Sequence, residues 1–342
     1  MLDSLNLWLV IVIGFLMLVV LVLSANKTVE KIIGIANYFK LSGTFMGMTV
    51  LSFATSIPEI SSHYIASVSI LRGTLDYRIG SAIVLGSNIG SDVVQQTLIM
   101  GILVLIAGSL YFRKYVLTKN MVPMIVTTIM CLILGMDGSF SRIDGTILML
   151  TFIAYSYYLY KDERKFYKEE DNSIKSEIME GKVPNSIKEV FKDTLFTLGL
   201  LLIVILAASV VLNVTEIVVQ RTGVGGSLIG VLTLGLASAL PELTTALAGL
   251  RHKEHGISLG TLIGSNITNP LVAIGGGAMI STYAAPRPLL LWDLPWETLT
   301  GALLWIILWR NHGKLGKKEG IYLVVMYFVY ITCRAVFFHT DY

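Results

Sequence analysis

Two short stretches of this chain hold residues able to bind a cation within an apolar segment. "ATSIPEI" (54–60) and "ASALPEL" (237–243) each set a proline beside a glutamate, Pro58–Glu59 and Pro241–Glu242, inside a long hydrophobic run. On a helix, Pro58 cannot donate to the Ala54 carbonyl and its ring disturbs the Thr55 carbonyl; Pro241 does the same to Ala237 and Ser238. Freed carbonyls in a bilayer are tolerated only where they line a buried or wet cavity. Each unpaired glutamate costs about 2.5–3.5 kcal/mol there, and no Lys or Arg lies in the core of a predicted span to neutralise it. Two carboxylates with loose carbonyls and hydroxyls form a hard-oxygen site, which suits calcium and its roughly six to eight oxygen ligands.

The surrounding residues support that chemistry. Ser52, Thr55, Ser56, Glu59, Ser62 and His63 recur at three- and four-residue intervals and form one polar stripe on a helix, as do Ser238, Glu242 and Thr245. Downstream lie "GSNIGSD" (86–92) and "GSNITNP" (264–270). Gly86-x-x-x-Gly90 and Gly260-x-x-x-Gly264 are close-packing spacings for membrane helices. Beside the Pro-Glu motifs, glycine permits close approach while the Ser87, Asn88, Ser265 and Asn266 oxygens face the site. Four residues past each serine stand Ser91 and Asn269. Asp92 is a further intramembrane carboxylate with no acidic counterpart in the second motif. His63 lies one turn from Glu59 and offers a proton relay; a hydrogen-bonded packing histidine is the plainer reading, and its counterpart is Ala246.

The elements that position these residues are long helices. The chain has 342 residues, 54% hydrophobic and only 14% charged, with a mean hydropathy of +0.72. A soluble protein of this size carries more charge, so the composition indicates a polytopic membrane protein. The N-terminal apolar run lacks a basic n-region and is too long for a cleaved signal, so it is expected to form the first span. Spans are expected near 7–24, 43–71, 79–110, 121–136, 143–160, 195–213, 225–250, 258–281, 289–309 and 320–338. Cys131 and Cys333 fall in apolar spans and read as buried free thiols.

The hydrophilic segment 161–194 reads as a solvated cytoplasmic linker between two five-helix halves, 1–160 and 195–342. With the N-terminus outside, about twenty of the 26 Lys and Arg fall on the inner side, which places both termini outside. The halves repeat: the Pro-Glu motifs align at an offset of 183, the GSN motifs at 178, and "RIDGTILMLTFIAY" (142–155) echoes "KKEGIYLVVMYFVY" (317–330). The second and seventh spans then run in opposite directions. The expected fold is all-α, with ten transmembrane helices in two inverted five-helix repeats and a substrate site at the repeat interface.

These motifs resemble the cation/calcium antiporter superfamily, especially prokaryotic sodium/calcium exchangers. That family carries two inverted alpha-repeats, each with a G-T-S-x-P-E-like motif followed by G-S-N-I; here they cover about 43–108 and 225–281. The resemblance implies calcium ligation by Glu59 and Glu242 with the backbone carbonyls of Thr55 and Ser238. It implies sodium sites formed by serines of both motifs, Ser56 among them, and by polar side chains at Ser87, Ser91, Ser265 and Asn269. Two departures stand out: Ala239 replaces the usual serine, and Ser91 stands where Asn or Asp is usual, with Asp92 one residue along. A one-residue shift turns a helical side chain by about 100°.

The resulting expectation is a secondary calcium antiporter of the plasma membrane, with sodium ranked first as the driving ion and protons second. Its transported ions are its only expected small-molecule partners besides lipid, with no cofactor, nucleic acid or enzymatic reaction, and with a monomeric assembly. Manganese or magnesium as cargo, and a passive cation channel, remain as alternatives.

Overall fold

In a bilayer every backbone donor and acceptor must be satisfied within the protein, so long apolar runs fold into helices. The computed structural model describes residues 5–38, 52–112, 114–170, 183–251 and 255–342. Its helices are α1 (Leu7–Tyr38), α2 (Ser52–Thr55), α3 (Ile57–Leu71), α4 (Tyr77–Ala107), α5 (Leu117–Gly135), α6 (Arg142–Glu170), α7 (Ile187–Thr222), α8 (226–238), α9 (Leu240–Arg251), α10 (255–281), α11 (289–310) and α12 (Lys317–Phe337). Among the described residues, six helical stretches are individually long and apolar enough to cross a membrane: 7–35, α4, α5, α7, α12, and α8 taken with α9. Trp8, Phe15 and Leu16 on α1 and Leu202 and Leu206 on α7 turn outward, as expected of lipid-facing surfaces.

The core is built around α4, which is buried along nearly its whole length. It meets α8 backbone to backbone. A Cβ on Gly86 would stand 2.3 Å from the Ser227 carbonyl oxygen, and one on Gly230 would stand 2.3 Å from the Ile83 carbonyl oxygen. Glycine at both positions is what allows the approach. The long helices α1 and α7 pack along each other, Val10 against Val214 and Ile217, and Leu21 against Ala207 and Ala208. Lys31 pairs with Asp193 at 2.7 Å near one end of this helix pair, and Arg221 Nη1 donates to the Leu5 carbonyl at the other.

Four short strands depart from the all-α expectation. β1 (Ser109–Tyr111) pairs antiparallel with β4 (Lys314–Gly316), and β2 (Ser139–Phe140) pairs with β3 (Tyr283–Ala284). Registers are Leu110 opposite Leu315 and Phe140 opposite Tyr283. Each pair joins one strand from before residue 161 to one from after 194. The two pairs lie at opposite ends of α5, because β1 precedes that helix and β2 follows it. The Gly225 N–H donates to the His339 carbonyl, so the Leu5 end of the chain and the 339–342 end share one side of the molecule.

Three expectations need correction. Helix extends into both ends of the 161–194 segment, since α6 continues to Glu170 and α7 begins at Ile187; residues 171–182 lie outside the described set. Ser186 caps α7 by accepting from the Glu189 N–H at 3.3 Å, which gives that helix a start well before its apolar run. Cys131 is buried as expected, but Cys333 is only partly so. Finally, Arg334 is fully buried in the last predicted span, and its Nε contacts both Asp293 oxygens at 3.1 and 2.9 Å. It neutralises Asp293, not Glu59 or Glu242. Residues 43–51, Arg113 and Lys253, which figured in the sequence reading, are also outside the described residues.

Candidate cation site

Both Pro-Glu motifs break their helices at the same point and with the same geometry. Ser56 separates α2 from α3 with φ −78° and ψ 3°. Ala239 separates α8 from α9 with φ −79° and ψ −5°. Each proline follows two residues later, at the first turn of the new helix, where a missing N–H is best tolerated. Each glutamate comes next, in the first turn, where the helix dipole favours an anion. The proline and glutamate are therefore locally compatible, and the cost falls on the broken backbone before them.

The two breaks interlock across the core. Ser91 Oγ donates to Glu59 Oε1 at 2.9 Å, and the Ser238 hydroxyl of the other motif faces the same carboxyl. Reciprocally, the Thr55 and Ser265 hydroxyls face Glu242, while sharing a hydrogen bond with each other at 3.2 Å. Ser52 meets Thr268 at 3.2 Å. Each glutamate thus sits between one residue of its partner motif and one of a GSN helix.

Both glutamates are buried, at 1% and 0% exposure. Within the repeated motifs six buried oxygens nonetheless have no hydrogen-bond partner among the described residues: Ser56 Oγ, Glu59 Oε2, Asn88 Oδ1, both Glu242 carboxylate oxygens and Asn269 Oδ1. Orphaned buried oxygens are costly. No three carboxylate, imidazole or thiol groups among the described residues converge on one metal-sized point. The donor set is accordingly two carboxylates supplemented by neutral oxygens, which fits a hard cation.

The remaining sequence candidates divide into two groups. Ser87 is buried on α4, which carries Ser91 one turn further on. Asn88 Nδ2 donates to the Asn269 carbonyl at 3.4 Å, and Asn269 Nδ2 donates to Asp92 Oδ1 at 2.7 Å. Asp92 is therefore turned from the Ser91 position but still reaches the repeat counterpart of Ser91. Asn266 is drawn away into a scaffold network: it donates to Gln95 Oε1 at 2.9 Å and accepts from Gln96 Nε2 at 2.7 Å. Gln95 Nε2 closes the chain by donating to Ser91 Oγ at 3.1 Å. Both glutamines were missed from the sequence, although two adjacent amides within an apolar span were a usable signal.

Local widening positions these groups. A π-helical stretch occupies Gln95–Ile99 in α4, and another occupies Asn269–Ile274 in α10. Such a turn accommodates an extra residue in the helix; three further stretches of this kind lie at Leu117–Met121, Gly230–Gly235 and Leu289–Asp293. His63 is placed elsewhere: its Nδ1 lies 3.1 Å from the Tyr283 hydroxyl, which also bonds Ser67 at 2.7 Å. It ties α3 to β3, in keeping with a packing histidine. Two further buried carboxylates, Asp293 and Glu297, stand on α11; sequence reasoning passed over both because α11 has no repeat of the Pro-Glu motif.

The sequence profile of the family described as "Sodium/calcium exchanger protein" matches residues 8–161 and 194–336. The chain belongs to this family. As a member it is a membrane-spanning cation/calcium antiporter. Among its relatives are the membrane protein MJ0091 of Methanocaldococcus jannaschii, 28% identical over 87% of this chain and 88% of that protein, and the inner membrane protein YrbG of Escherichia coli, 24% identical over 92% and 93%. The sodium/calcium exchanger MaX1 of Methanosarcina acetivorans is 22% identical over 92% of this chain and 95% of its own. A solved structure of the sodium-calcium exchanger NCX_Mj superposes with a TM-score of 0.61 at 23% identity, covering 96% of this chain and 99% of that one; the exchanger fold is shared.

Proposed function

We propose that this exchanger moves calcium against sodium through a single site made by both Pro-Glu motifs. The observation that carries the reading is the set of six unpartnered buried oxygens on Ser56, Glu59, Asn88, Glu242 and Asn269. Glu59 and Glu242 together carry two negative charges when ionised. One calcium ion or two monovalent cations balance them, and both loads cannot be charge-balanced there at once. Mutual exclusion of this kind is the physical basis of exchange. Thr55 and Ser238 carbonyls, Ser87 and Ser265 complete the proposed ligand set.

The proposed architecture is ten spans in two inverted halves, with 161–194 as the cytoplasmic linker and both chain ends outside the plasma membrane. Three observations support it. The breaks at Ser56 and Ala239 match in geometry; strand pairing is exchanged between halves at opposite ends of α5; and the two chain ends lie on one side. Alternating access then consists of α1 and α7, already packed together, shifting against the scaffold of α4 and α10 around the fixed site. A monomer suffices, since both motifs come from one chain.

Titration calorimetry on the purified protein tests the shared site. Sodium should displace calcium with a dependence near the second power of its concentration. Calcium affinity unaffected by sodium, but lowered by acid alone, would replace sodium with protons as the driving ion.

A further inference from the structure

On α11 stands a buried acid that forms no ion pair among the described residues. Glu297 on α11 is 2% exposed, and its Oε1 lies 2.7 Å from Thr128 Oγ1 of α5. Thr128 Oγ1 also lies 3.2 Å from the Met124 carbonyl oxygen. A threonine hydroxyl has one proton to give. When it bonds Met124, only a proton on Glu297 can make the shorter contact favourable; when it turns to Glu297, the carboxylate can be ionised. The pair has two self-consistent hydrogen-bond states that differ by one proton.

The surroundings leave a proton as the fitting occupant. The titratable groups within electrostatic reach of Glu297 are Asp92 on α4, Cys131 on α5, Tyr330 on α12 and Asp293 on its own helix. Arg334 pairs with Asp293 through Nε, and although its Nη1 is unpartnered no ion pair joins it to Glu297; Lys314 of β4 lies over the Tyr111 ring. An ionised Glu297 would thus be a buried charge with no ion-pair partner among the described residues, which is expensive.

Glu297 also has two connections to the exchange site. Asp92 lies within electrostatic reach of Glu297 and also of Glu59 and Glu242. Thr300, one turn along, has one proton for three acceptors, the backbone carbonyls of Trp296 and Glu297 at 3.0 Å and Gln96 Oε1 at 3.2 Å, and when it turns to Gln96 it joins a chain of bonds. From Gln96 the bonds run through Asn266, Gln95 and Ser91 to Glu59. The amides in this chain fix positions and do not pass protons.

We infer that Glu297, held by Thr128, is a proton-binding site separate from the cation ligands, and that its occupancy tunes calcium affinity at the Glu59–Glu242 site. The inference rests on the proposed calcium site. Its sign follows from charge. Ionised Glu297 adds negative potential and tightens calcium, so calcium affinity rises with pH and calcium binding releases the Glu297 proton.

The test measures calcium binding by the purified full-length protein across about two pH units around neutrality, with infrared spectroscopy of its carboxyl groups. E297Q should bind calcium as the protonated form does, release up to about one proton fewer per calcium, and lower the slope of log affinity against pH by the same amount. The infrared band of a protonated carboxyl should disappear in E297Q and shift in T128V, a variant that keeps the acid and serves if E297Q does not fold. Equal slopes in wild type and E297Q, or an infrared spectrum unchanged in both variants, would overturn the inference. Wild type that binds no calcium at any pH refutes the calcium site instead, while the infrared result on Glu297 still decides its protonation.

Discussion

Ser91 donates to Glu59 across 2.9 Å, so a GSN helix holds one oxygen of the first motif's glutamate and leaves the other unpartnered. The contact orients Glu59 without exhausting it. Its repeat counterpart, Asn269, does something different and bonds Asp92 at 2.7 Å. The site is therefore symmetric in its two broken helices and asymmetric in the side chains that steady them.

Removing either central charge should disable calcium binding. E59Q and E242Q keep shape but lose a carboxylate, and each is expected to weaken calcium by at least about 100-fold, or about 2.7 kcal/mol. Calorimetry on the two purified variants checks this. Calcium affinity within a few-fold of wild type in either would contradict the shared-carboxylate site.

The mismatch between Ser56 and Ala239 should be readable in sodium affinity. S56A removes an unpartnered buried hydroxyl and should weaken sodium competition by about fivefold while leaving calcium affinity nearly unchanged. A239S adds a hydroxyl at the matching break and should strengthen sodium by a similar factor, about 1 kcal/mol. Sodium displacement curves for the two variants should move in opposite directions; identical curves would remove these positions from monovalent-cation binding.

Arg334 and Asp293 should matter for stability as a pair. R334L leaves Asp293 buried without its counter-charge and is expected to cost about 3–5 kcal/mol, seen as a lower Tm in detergent. D293N with R334L should recover most of the loss, because no uncompensated charge remains. Additive destabilisation in the double variant would show that the pair is not coupled.

Packing of α4 on α8 should tolerate no side chain at Gly86. G86A places a methyl group 2.3 Å from the Ser227 carbonyl oxygen, and overpacking of this kind costs about 1–3 kcal/mol. G73A is the matched comparison, since nothing lies within 4 Å of a Cβ there, although φ is +69°. A lower Tm in G86A than in G73A is expected; the reverse order would contradict the close approach.

Much of the arrangement was legible in the residues themselves. Hydropathy located the apolar cores of the helices but not their ends, since α1 and α7 run well beyond the expected spans 7–24 and 195–213, and the duplicated Pro-Glu and GSN motifs singled out Glu59, Glu242, Ser91, Ser238 and Ser265. The crosswise facing of Ser238 with Glu59 and of Thr55 with Glu242 was not legible, because it depends on how α3 and α9 meet in space. Arg334 looked like a residue at a span end, and only its contact with Asp293 shows it inside the core. Glu297 was not legible because it stands once, on a helix without a copy of the duplicated motifs. The two strand pairs were invisible because runs of two or three residues carry too little periodicity to separate from a turn.

Calcium uptake into vesicles reconstituted with the purified protein tests the central claim most directly. Vesicles loaded with sodium should accumulate radioactive calcium while sodium is lower outside, and accumulation should stop when an ionophore collapses that gradient. Uptake that persists after the sodium gradient is collapsed would contradict sodium-coupled exchange.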